Sequence, residues 1–229
     1  MATIDLVSLP DSCPFTVARI ESAPFAENSY VICRTGSREC LVIDPGFEPD
    51  AIVGWIEEAG LTPVAILLTH GHSDHIAGNK TLLARWPGLP ILIGSGDAAK
   101  LLDPMGNLSG RFGLPITSPP ATRLLVAGER VDLAGLAFTV AEIPGHSSGH
   151  VVFCVEKSLP PLLFGGDVLF QEGIGRTDFP DGDFAALALG IRRHIYSLPD
   201  ATVVLPGHGP ETTVEHEKLH NPFVPGTDD

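Results

Sequence analysis

The sequence predicts an α/β (α+β) fold in which two mixed β-sheets face each other and helices cover their outer surfaces. Short β-branched runs recur along the chain, helix-like segments separate some of them, and this pattern occurs on both sides of the Gly/Pro-rich Met105–Pro120. Two facing sheets with helices outside would bury this many strands. We interpret Met105–Pro120 as a surface loop within a single domain spanning residues 1–229, because neither half alone holds a complete site.

Ten apolar runs have the length of strands and are bounded by Gly, Pro or Asp. In chain order they are Phe15–Ile20, Ser29–Cys33, Cys40–Ile43, Val64–Leu68, Pro90–Ile93, Thr122–Val126, Ala137–Ile143, Val151–Val155, Pro161–Phe164 and Thr202–Leu205.

Five segments between these runs are predicted to be helical. Pro49–Gly60 has apolar residues on one face and stops at a glycine, which is typical of an amphipathic helix. The other four are Asp74–Trp86, Ser95–Leu102, Asp183–Leu198 and Glu211–Leu219. Ser95 and Asp183 stand where an N-cap residue is expected.

Composition indicates a folded, cytoplasmic protein. Hydrophobic residues make up 44% of the 229 residues and charged residues 18%, which is typical of a globular protein. The formal net charge of −14 argues against nucleic acid or an anionic membrane as a partner. The first residues lack a basic start followed by a long apolar run, so we expect no signal peptide, and no apolar stretch in the sequence is long enough to span a bilayer. The four cysteines lack CxxC spacing and are expected to be reduced: Cys13, Cys33, Cys40 and Cys154.

A dense group of metal-ligand side chains follows the predicted strand that ends at Thr69. His70 and His72 are two residues apart in extended or turning chain, so both can face one ion. Asp74, a plausible N-cap, and His75 begin the next helix and project from another direction, which suits a second ion. Two ions about 3.5–4 Å apart can polarise a carbonyl and hold a bridging hydroxide at neutral pH.

Three further strands end in small or turn-forming residues and then a ligand-type side chain. These side chains are His146 after Pro144-Gly145, Asp167 after Gly165-Gly166, and His208 after Pro206-Gly207. Glycine allows a sharp turn that places the ligand at the mouth of the sheets. Asp167 is the natural bridge between two ions, since a carboxylate has two oxygens. The predicted ligand set is therefore His70, His72, Asp74, His75, His146, Asp167 and His208.

These motifs together resemble the metallo-β-lactamase superfamily. Thr-His-Gly-His-Ser-Asp-His, then Pro-Gly-His, Gly-Asp and Gly-His, match its signature over nearly the whole chain. The resemblance implies a four-layer αββα sandwich with two metal ions at one edge. It also implies His70, His72 and His146 on one ion, Asp74, His75 and His208 on the other, and Asp167 shared. True zinc β-lactamases fit less well, because many carry a Cys ligand where Asp167 stands and they are exported.

Within the superfamily, Ile143–His150 and Leu169–Asp183 resemble the short, single-domain bacterial glyoxalase II proteins, which hydrolyse S-acylglutathione thioesters such as S-lactoylglutathione. We expect no separate C-terminal helical domain, and this chain has Pro210 where the longer family members usually have Tyr. Arg176 matches a basic residue that contacts glutathione, although a surface salt bridge with Asp178 or Asp181 is an equal alternative.

The resemblance defines an expected chemistry. We expect a metal-bound hydroxide, held by Asp74 and Asp167, to attack a small-molecule thioester. The two divalent metal ions are expected to be Zn, with Fe or Mn also compatible with His and carboxylate ligands. Asp44 is expected to accept the outer N–H of a ligand histidine and His150 to give hydrogen-bonded support. The oligomeric state is left open.

Two other functions remain open at this point. A mononuclear-iron persulfide dioxygenase of the same superfamily would use only His70, His146 and Asp167. Its members typically have Asp-Tyr after the last histidine, whereas this chain has Gly209-Pro210. A non-catalytic metal-binding domain is the other alternative, although a complete ligand set argues against it. A nuclease would need a long insertion and a basic face, and neither is present.

Overall fold

Two mixed sheets organise the protein in a computed structural model that describes residues 2–10 and 12–226. The first sheet has seven strands in chain order: β1 (Thr3–Leu6), β2 (Phe15–Ser22), β3 (Glu27–Arg34), β4 (Glu39–Ile43), β5 (Thr62–Leu68), β6 (Ile91–Gly94) and β7 (Arg123–Leu125). Strands β1 to β4 pair antiparallel, and β4 to β7 pair parallel. The parallel part places the carboxyl ends of β4 and β5 side by side.

The second sheet has six strands in the order β15-β14-β11-β10-β9-β8, and a separate hairpin joins β12 to β13. The elements are β8 (Arg130–Leu133), β9 (Leu136–Glu142), β10 (Val151–Val155), β11 (Leu162–Gly166), β12 (Leu169–Phe170), β13 (Gly173–Ile174), β14 (Val203–Pro206) and β15 (Thr212–Thr213). Only β11 and β14 pair in parallel within this sheet, so their carboxyl ends also lie together.

The described residues contain five short α-helices. They are α1 (Pro49–Glu58), α2 (Ser73–Ile76), α3 (Asn79–Arg85), α4 (Phe184–Gly190) and α5 (Val214–His220). A π-helical turn, Ile191–Ile195, continues α4. None of the helices in the described residues has the length and hydropathy that crossing a bilayer requires.

Three hydrophobic clusters hold the layers together. Residues of both sheets, such as Leu41, Leu67, Phe153 and Phe164, interdigitate in the central cluster. A second cluster packs α1 and α3 on the first sheet, and a third packs α4, the π-helical turn and α5 on the second. Burial of these apolar faces is the main favourable term in folding. The order of layers is therefore helix, sheet, sheet, helix, and the predicted αββα sandwich of the α+β class is confirmed.

All ten predicted strands are present, and the differences concern short or polar elements. The strands β1, β8, β12, β13 and β15 were not predicted, because short strands and exposed edge strands need no apolar run; all four residues of β1 are exposed. The predicted helix over 74–86 is interrupted at Gly78, whose N–H donates to the Pro45 carbonyl at 2.8 Å. A Cβ at Gly78 would lie 2.9 Å from the Gly46 carbonyl oxygen, so the chain turns where no side chain fits.

Two of the helix ends were predicted incorrectly. Ser95–Leu102 contains only a single 3-10 turn, Ala98–Leu101, and the residue before it is Asp97 rather than Ser95. The N-cap position of α2 belongs to His72, and Asp74 lies within the first turn. The capping role predicted for Asp183 is confirmed, because its carboxylate accepts the Ala186 N–H at 3.0 Å.

All four cysteines are free thiols, as expected from their spacing. Cys33 and Cys40 are register partners across β3 and β4, and both are buried. Burial raises the pKa of the Cys40 thiol to about 12 and raises that of Cys33 above its usual value.

We therefore expect Cys33 and Cys40 to react with a disulfide reagent at least about tenfold more slowly in the native protein than in guanidinium, because only the thiolate attacks. Thiol titration at pH 8 under both conditions, with Cys33→Ser and Cys40→Ser to assign the phases, measures this. Equal rates in the two states would contradict the burial of this pair.

Candidate metal centre

Four separate chain segments deliver imidazole and carboxylate groups to one edge of the sandwich. The first cluster consists of His70, His72 and His146, whose ligand atoms all lie within 4.8 Å of one another. All three side chains are buried. His72 Nδ1 lies 2.9 Å from His146 Nε2, although these residues are 74 positions apart in the sequence. The turns after β5 and β9 therefore place three imidazoles around a common point.

The second cluster consists of Asp74, His75 and His208, with ligand atoms within 4.8 Å of one another. Asp74 Oδ2 lies 3.4 Å from His208 Nε2 and 3.9 Å from His75 Nε2. The first two members come from α2 and the third from the turn after β14. An isolated bridge between His208 and Glu27 fixes that turn against the first sheet.

Asp167 lies between the two clusters. Its Oδ2 atom is 3.4 Å from His146 Nε2 and 3.4 Å from His208 Nε2, and its Oδ1 atom is 3.4 Å from His75 Nε2. One carboxylate therefore reaches both clusters. The structure brings together all seven side chains that the sequence indicated as ligands.

The clusters are suited to divalent cations because several of their buried nitrogen and oxygen atoms have no hydrogen-bond partner. Among the described residues, buried His70 Nε2, His75 Nε2 and Asp167 Oδ1 have no hydrogen-bond partner. Leaving a buried polar atom unsatisfied costs about 1–3 kcal/mol. Imidazole nitrogen and carboxylate oxygen are ligands that Zn, Fe and Mn accept.

Hydrogen bonds at Nδ1 orient two histidines of the centre through Asp44. The Thr69 hydroxyl donates to Asp44 Oδ2 at 2.6 Å and lies 3.1 Å from His70 Nδ1, which donates to it. His75 Nδ1 donates to the same Asp44 oxygen at 3.1 Å. Both imidazoles are therefore held with the Nε2 lone pair towards the centre. We expected Asp44 to accept the outer N–H of a ligand histidine, and its hydrogen bond with His75 Nδ1 is such a contact.

Backbone carbonyls orient two more histidines in the same way. His146 Nδ1 donates to the Arg176 carbonyl at 2.9 Å, and His208 Nδ1 donates to the Phe25 carbonyl at 3.1 Å. Sequence reasoning missed these partners and Thr69, since a carbonyl carries no residue-type signal and Thr69 looks like any residue at the end of a strand. His72 differs, because its Nδ1 atom faces His146.

The two clusters have opposite electrostatic character. Burial lowers the pKa of His70 well below its usual range and that of His72 to about 3, so the first cluster presents neutral imidazoles. Burial also opposes protonation of His208, but the Asp167 carboxylate outweighs it and raises the pKa to about 10. In the second cluster a proton and a cation would compete for the same lone pairs.

His150 supports Asp167 from behind and is not among the clustered ligand atoms. Its Nε2 atom accepts the Asp167 backbone N–H at 3.0 Å, and its ring stacks on that of His70 with centroids 4.7 Å apart. Burial lowers the pKa of His150 to about 3, which keeps Nε2 an acceptor. We expected His150 to give hydrogen-bonded support to the centre, and its bond with the Asp167 N–H is a contact of that kind.

Asp97 joins the two loops that carry the first cluster, a role that the sequence did not indicate. Its carboxylate accepts the N–H of Gly71 at 2.8 Å, the N–H of Gly149 at 2.7 Å and the Ser147 hydroxyl. Lys100 Nζ lies 3.0 Å from Asp97 Oδ1 and also donates to Asp181. The side chain of Asp97 is fully buried, so this ion pair is shielded from solvent.

Arg176 lies at the rim of a pocket of ≈ 390 Å³ over both clusters. Its guanidinium donates to both oxygens of Asp178, at 2.8 and 2.7 Å, and its side chain is 62% exposed. Asp181 pairs with Lys100 instead. Of the two alternatives for Arg176, the structure shows the surface salt bridge with Asp178. A contact between Arg176 and a substrate stays a prediction.

Removal of the Asp97 carboxylate tests its structural role. We expect Asp97→Ala to lower the free energy of unfolding by about 3–5 kcal/mol, because two buried backbone N–H groups lose their acceptor and Lys100 loses its fully buried carboxylate partner. Urea unfolding followed by circular dichroism measures this. Asp132→Ala is the matched control, since it breaks an ion pair of two exposed side chains and should cost no more than about 1 kcal/mol. Equal losses in both variants would contradict the proposed role.

Comparison with known proteins defines the family. Residues 23–208 match the model described as Metallo-beta-lactamase superfamily. Hydroxyacylglutathione hydrolase GloC of Haemophilus influenzae is 38% identical over 190 residues, which cover 82% of this chain and 88% of that protein.

Solved structures agree with this assignment. The crystal structure of BLEG-1 B3 metallo-beta-lactamase has a TM-score of 0.86 and 38% identity, covering 91% of this chain and 99% of that chain. TTHA1623 in a di-iron-bound form has a TM-score of 0.78 and 38% identity, covering 90% and 98%. On the sequence match, the fold and the His/Asp clusters, the chain belongs to the metallo-β-lactamase superfamily of metallo-hydrolases.

Proposed function

We propose that this metallo-hydrolase cleaves thioesters with two divalent cations, and that its substrates are S-acylglutathiones such as S-lactoylglutathione. The observation that carries the proposal is the position of Asp167, whose carboxylate lies within 3.4 Å of imidazoles in both clusters. Its relative GloC, a hydroxyacylglutathione hydrolase, supports the choice of substrate.

In this proposal the first cluster would hold one cation, the second cluster the other, and Asp167 would contact both. When bound, the cations would polarise the substrate carbonyl and lower the pKa of the attacking water. Zn is the metal that we propose, with Fe or Mn as alternatives, and the di-iron form of TTHA1623 supports iron among these. Availability of each metal in the cell decides between them.

The protein's own carboxylates orient the attacking water in this scheme. Asp74 Oδ2 and Asp167 Oδ2 each lie 3.4 Å from His208 Nε2, so both acceptors face the same small volume. A water there would donate to these oxygens and direct a lone pair towards the carbonyl carbon. A thiolate leaves readily, so the site needs no strong general acid.

Arg176 is our candidate for a contact with a carboxylate of the thiol carrier. Arginine binds carboxylates with two parallel hydrogen bonds, as it binds Asp178 in the structure. A substrate carboxylate would have to compete with Asp178 for the guanidinium. Because the pair is exposed, we expect that exchange to cost little.

Three alternatives have weaker support. The resemblance to BLEG-1 favours β-lactam hydrolysis as a second candidate, since the same cations would polarise a lactam carbonyl. A mononuclear-iron dioxygenase would leave Asp74, His75 and His208 without a role. A non-catalytic domain would have no reason to keep a second cluster beside the first.

Elemental analysis tests the number of cations. We expect about two divalent ions per chain, and His208→Ala should lower this towards one, because the second cluster then loses an imidazole. His220→Ala, which removes a histidine outside both clusters, is the control and should keep the wild-type content. One iron per chain together with oxygen uptake on a persulfide substrate would favour the dioxygenase instead.

Hydrolysis of S-lactoylglutathione by the metal-loaded protein tests the activity. We expect Asp167→Ala to lower kcat by at least about 100-fold, since the bridging carboxylate contributes several kcal/mol to the reacting geometry. Circular dichroism and Tm should show that the variant is folded. Asp200→Ala, which removes an exposed carboxylate paired with Lys218, is the control. Retained turnover in Asp167→Ala, or nitrocefin cleaved where thioesters are not, would overturn the proposal.

A further inference from the structure

Four phenylalanines surround the candidate metal centre, and we call them the aromatic wall: Phe25, Phe112, Phe170 and Phe179. All four line the pocket of ≈ 390 Å³ that opens over both clusters. Leu108 and Ile174 fill the spaces beside them. Apart from the imidazoles and carboxylates at its floor, Ser73 and Arg176, the side chains that line the pocket are apolar.

The aromatic wall contacts the imidazoles of the centre directly. The ring centroid of Phe179 lies 5.4 Å from that of His72 and 5.8 Å from that of His146, both edge-on. Phe170 lies 6.0 Å from His208 on the other side. A carbonyl bound at the centre would therefore have its substituent against these rings, whichever cluster it faces.

Two rings of the aromatic wall expose apolar surface to solvent. Phe112 is 60% exposed and Phe25 is 40% exposed, and their ring centroids lie 6.0 Å apart. Contiguous exposed apolar patches often mark ligand-binding grooves or other interaction sites. Coverage by an apolar group of a ligand would remove this surface from water at a gain of about 25 cal/mol per Å².

The charges at the pocket also favour a ligand with an apolar group. Among the described residues that line it, Arg176 is the sole Lys or Arg, and Asp178 already neutralises it. The guanidinium carbon lies 4.4 Å from the centroid of Phe179, so its flat face extends the aromatic wall. Beyond the floor, the pocket therefore offers apolar surface and no unpaired basic side chain.

We propose, resting on the thioester hydrolysis proposed above, that the aromatic wall binds the acyl group and selects medium-chain aliphatic or aromatic acyl thioesters over short polar ones such as lactoyl. Each methylene that the wall buries should tighten binding about fourfold, from the transfer free energy of one CH₂ group.

Affinities of two thioethers that cannot be hydrolysed test the proposal without relying on activity. S-hexylglutathione and S-methylglutathione share the same thiol and charges, and titration calorimetry on the metal-loaded protein gives their Kd values. We expect the hexyl compound to bind more than about tenfold tighter. Phe112→Ser should reduce this ratio at least about threefold, and it should fold normally because the ring is mostly exposed.

Leu219→Ser is the matched control, since Leu219 is 71% exposed on α5 and does not line the pocket. It should leave the ratio unchanged. Equal affinities for the two thioethers would overturn the proposal. An undiminished preference for the hexyl compound in Phe112→Ser would also overturn it, because the alkyl group would then bind elsewhere.

Hydrolysis rates separate this proposal from the function on which it rests. We expect kcat/KM to increase from S-lactoylglutathione to S-hexanoylglutathione by about the same ratio as the thioether affinities. Turnover of both with no increase would refute the acyl preference and leave thioester hydrolysis standing. No turnover of either would refute thioester hydrolysis, and the thioether affinities would still decide whether the aromatic wall binds an apolar chain.

Discussion

The Asp167 carboxylate is buried between three imidazoles, and the rest of the centre is arranged around it. Burying an isolated carboxylate costs several kcal/mol unless opposite charge or hydrogen bonds compensate. Its backbone N–H donates to His150 Nε2. Two glycines lie against it: Gly166 precedes it in the chain, and Gly207 approaches it from the end of β14. Gly166 has a φ of +47°, and a Cβ at Gly207 would lie 2.2 Å from Asp167 Oδ1. The glycines of the Gly-Asp and Gly-His motifs are therefore required, because a larger side chain at either position would keep the ends of β11 and β14 from approaching this carboxylate.

Parallel pairing is what brings the strand ends to the same place. β4 and β5 end beside each other in the first sheet and carry Asp44 and Thr69, while β11 and β14 end together in the second. Contacts at this edge join the sheets, for example the bond from Asn28 N to Gly207 O at 2.7 Å and the bond from Val151 N to Thr69 O at 2.8 Å. The ligands therefore belong to one rigid edge, which preserves their geometry better than mobile loops would.

The ligand positions could be predicted from the sequence because they combine a distinctive residue type with a strand end. Asp44 was found for the same reason. Asp97 and Lys100 were missed, since their importance comes from partners about 50 and 80 positions away, Ser147 and Asp181, that no local pattern reveals. The segment 95–102 has helical spacing, yet the Asp97 carboxylate binds two loops instead of capping a helix. Tertiary hydrogen bonds therefore override local propensity there.

The aromatic wall was missed because a phenylalanine in a loop looks the same in the sequence whether it packs in a core or lines a pocket. Its position matters for the chemistry of the floor. Apolar rings against His72, His146 and His208 keep water away from the imidazoles, and electrostatic interactions strengthen as water is excluded. An acyl chain that covers Phe25 and Phe112 would complete this exclusion on the solvent side. Substrate selection and the electrostatics of the centre would then depend on the same four rings, so a change that widens the pocket should weaken both.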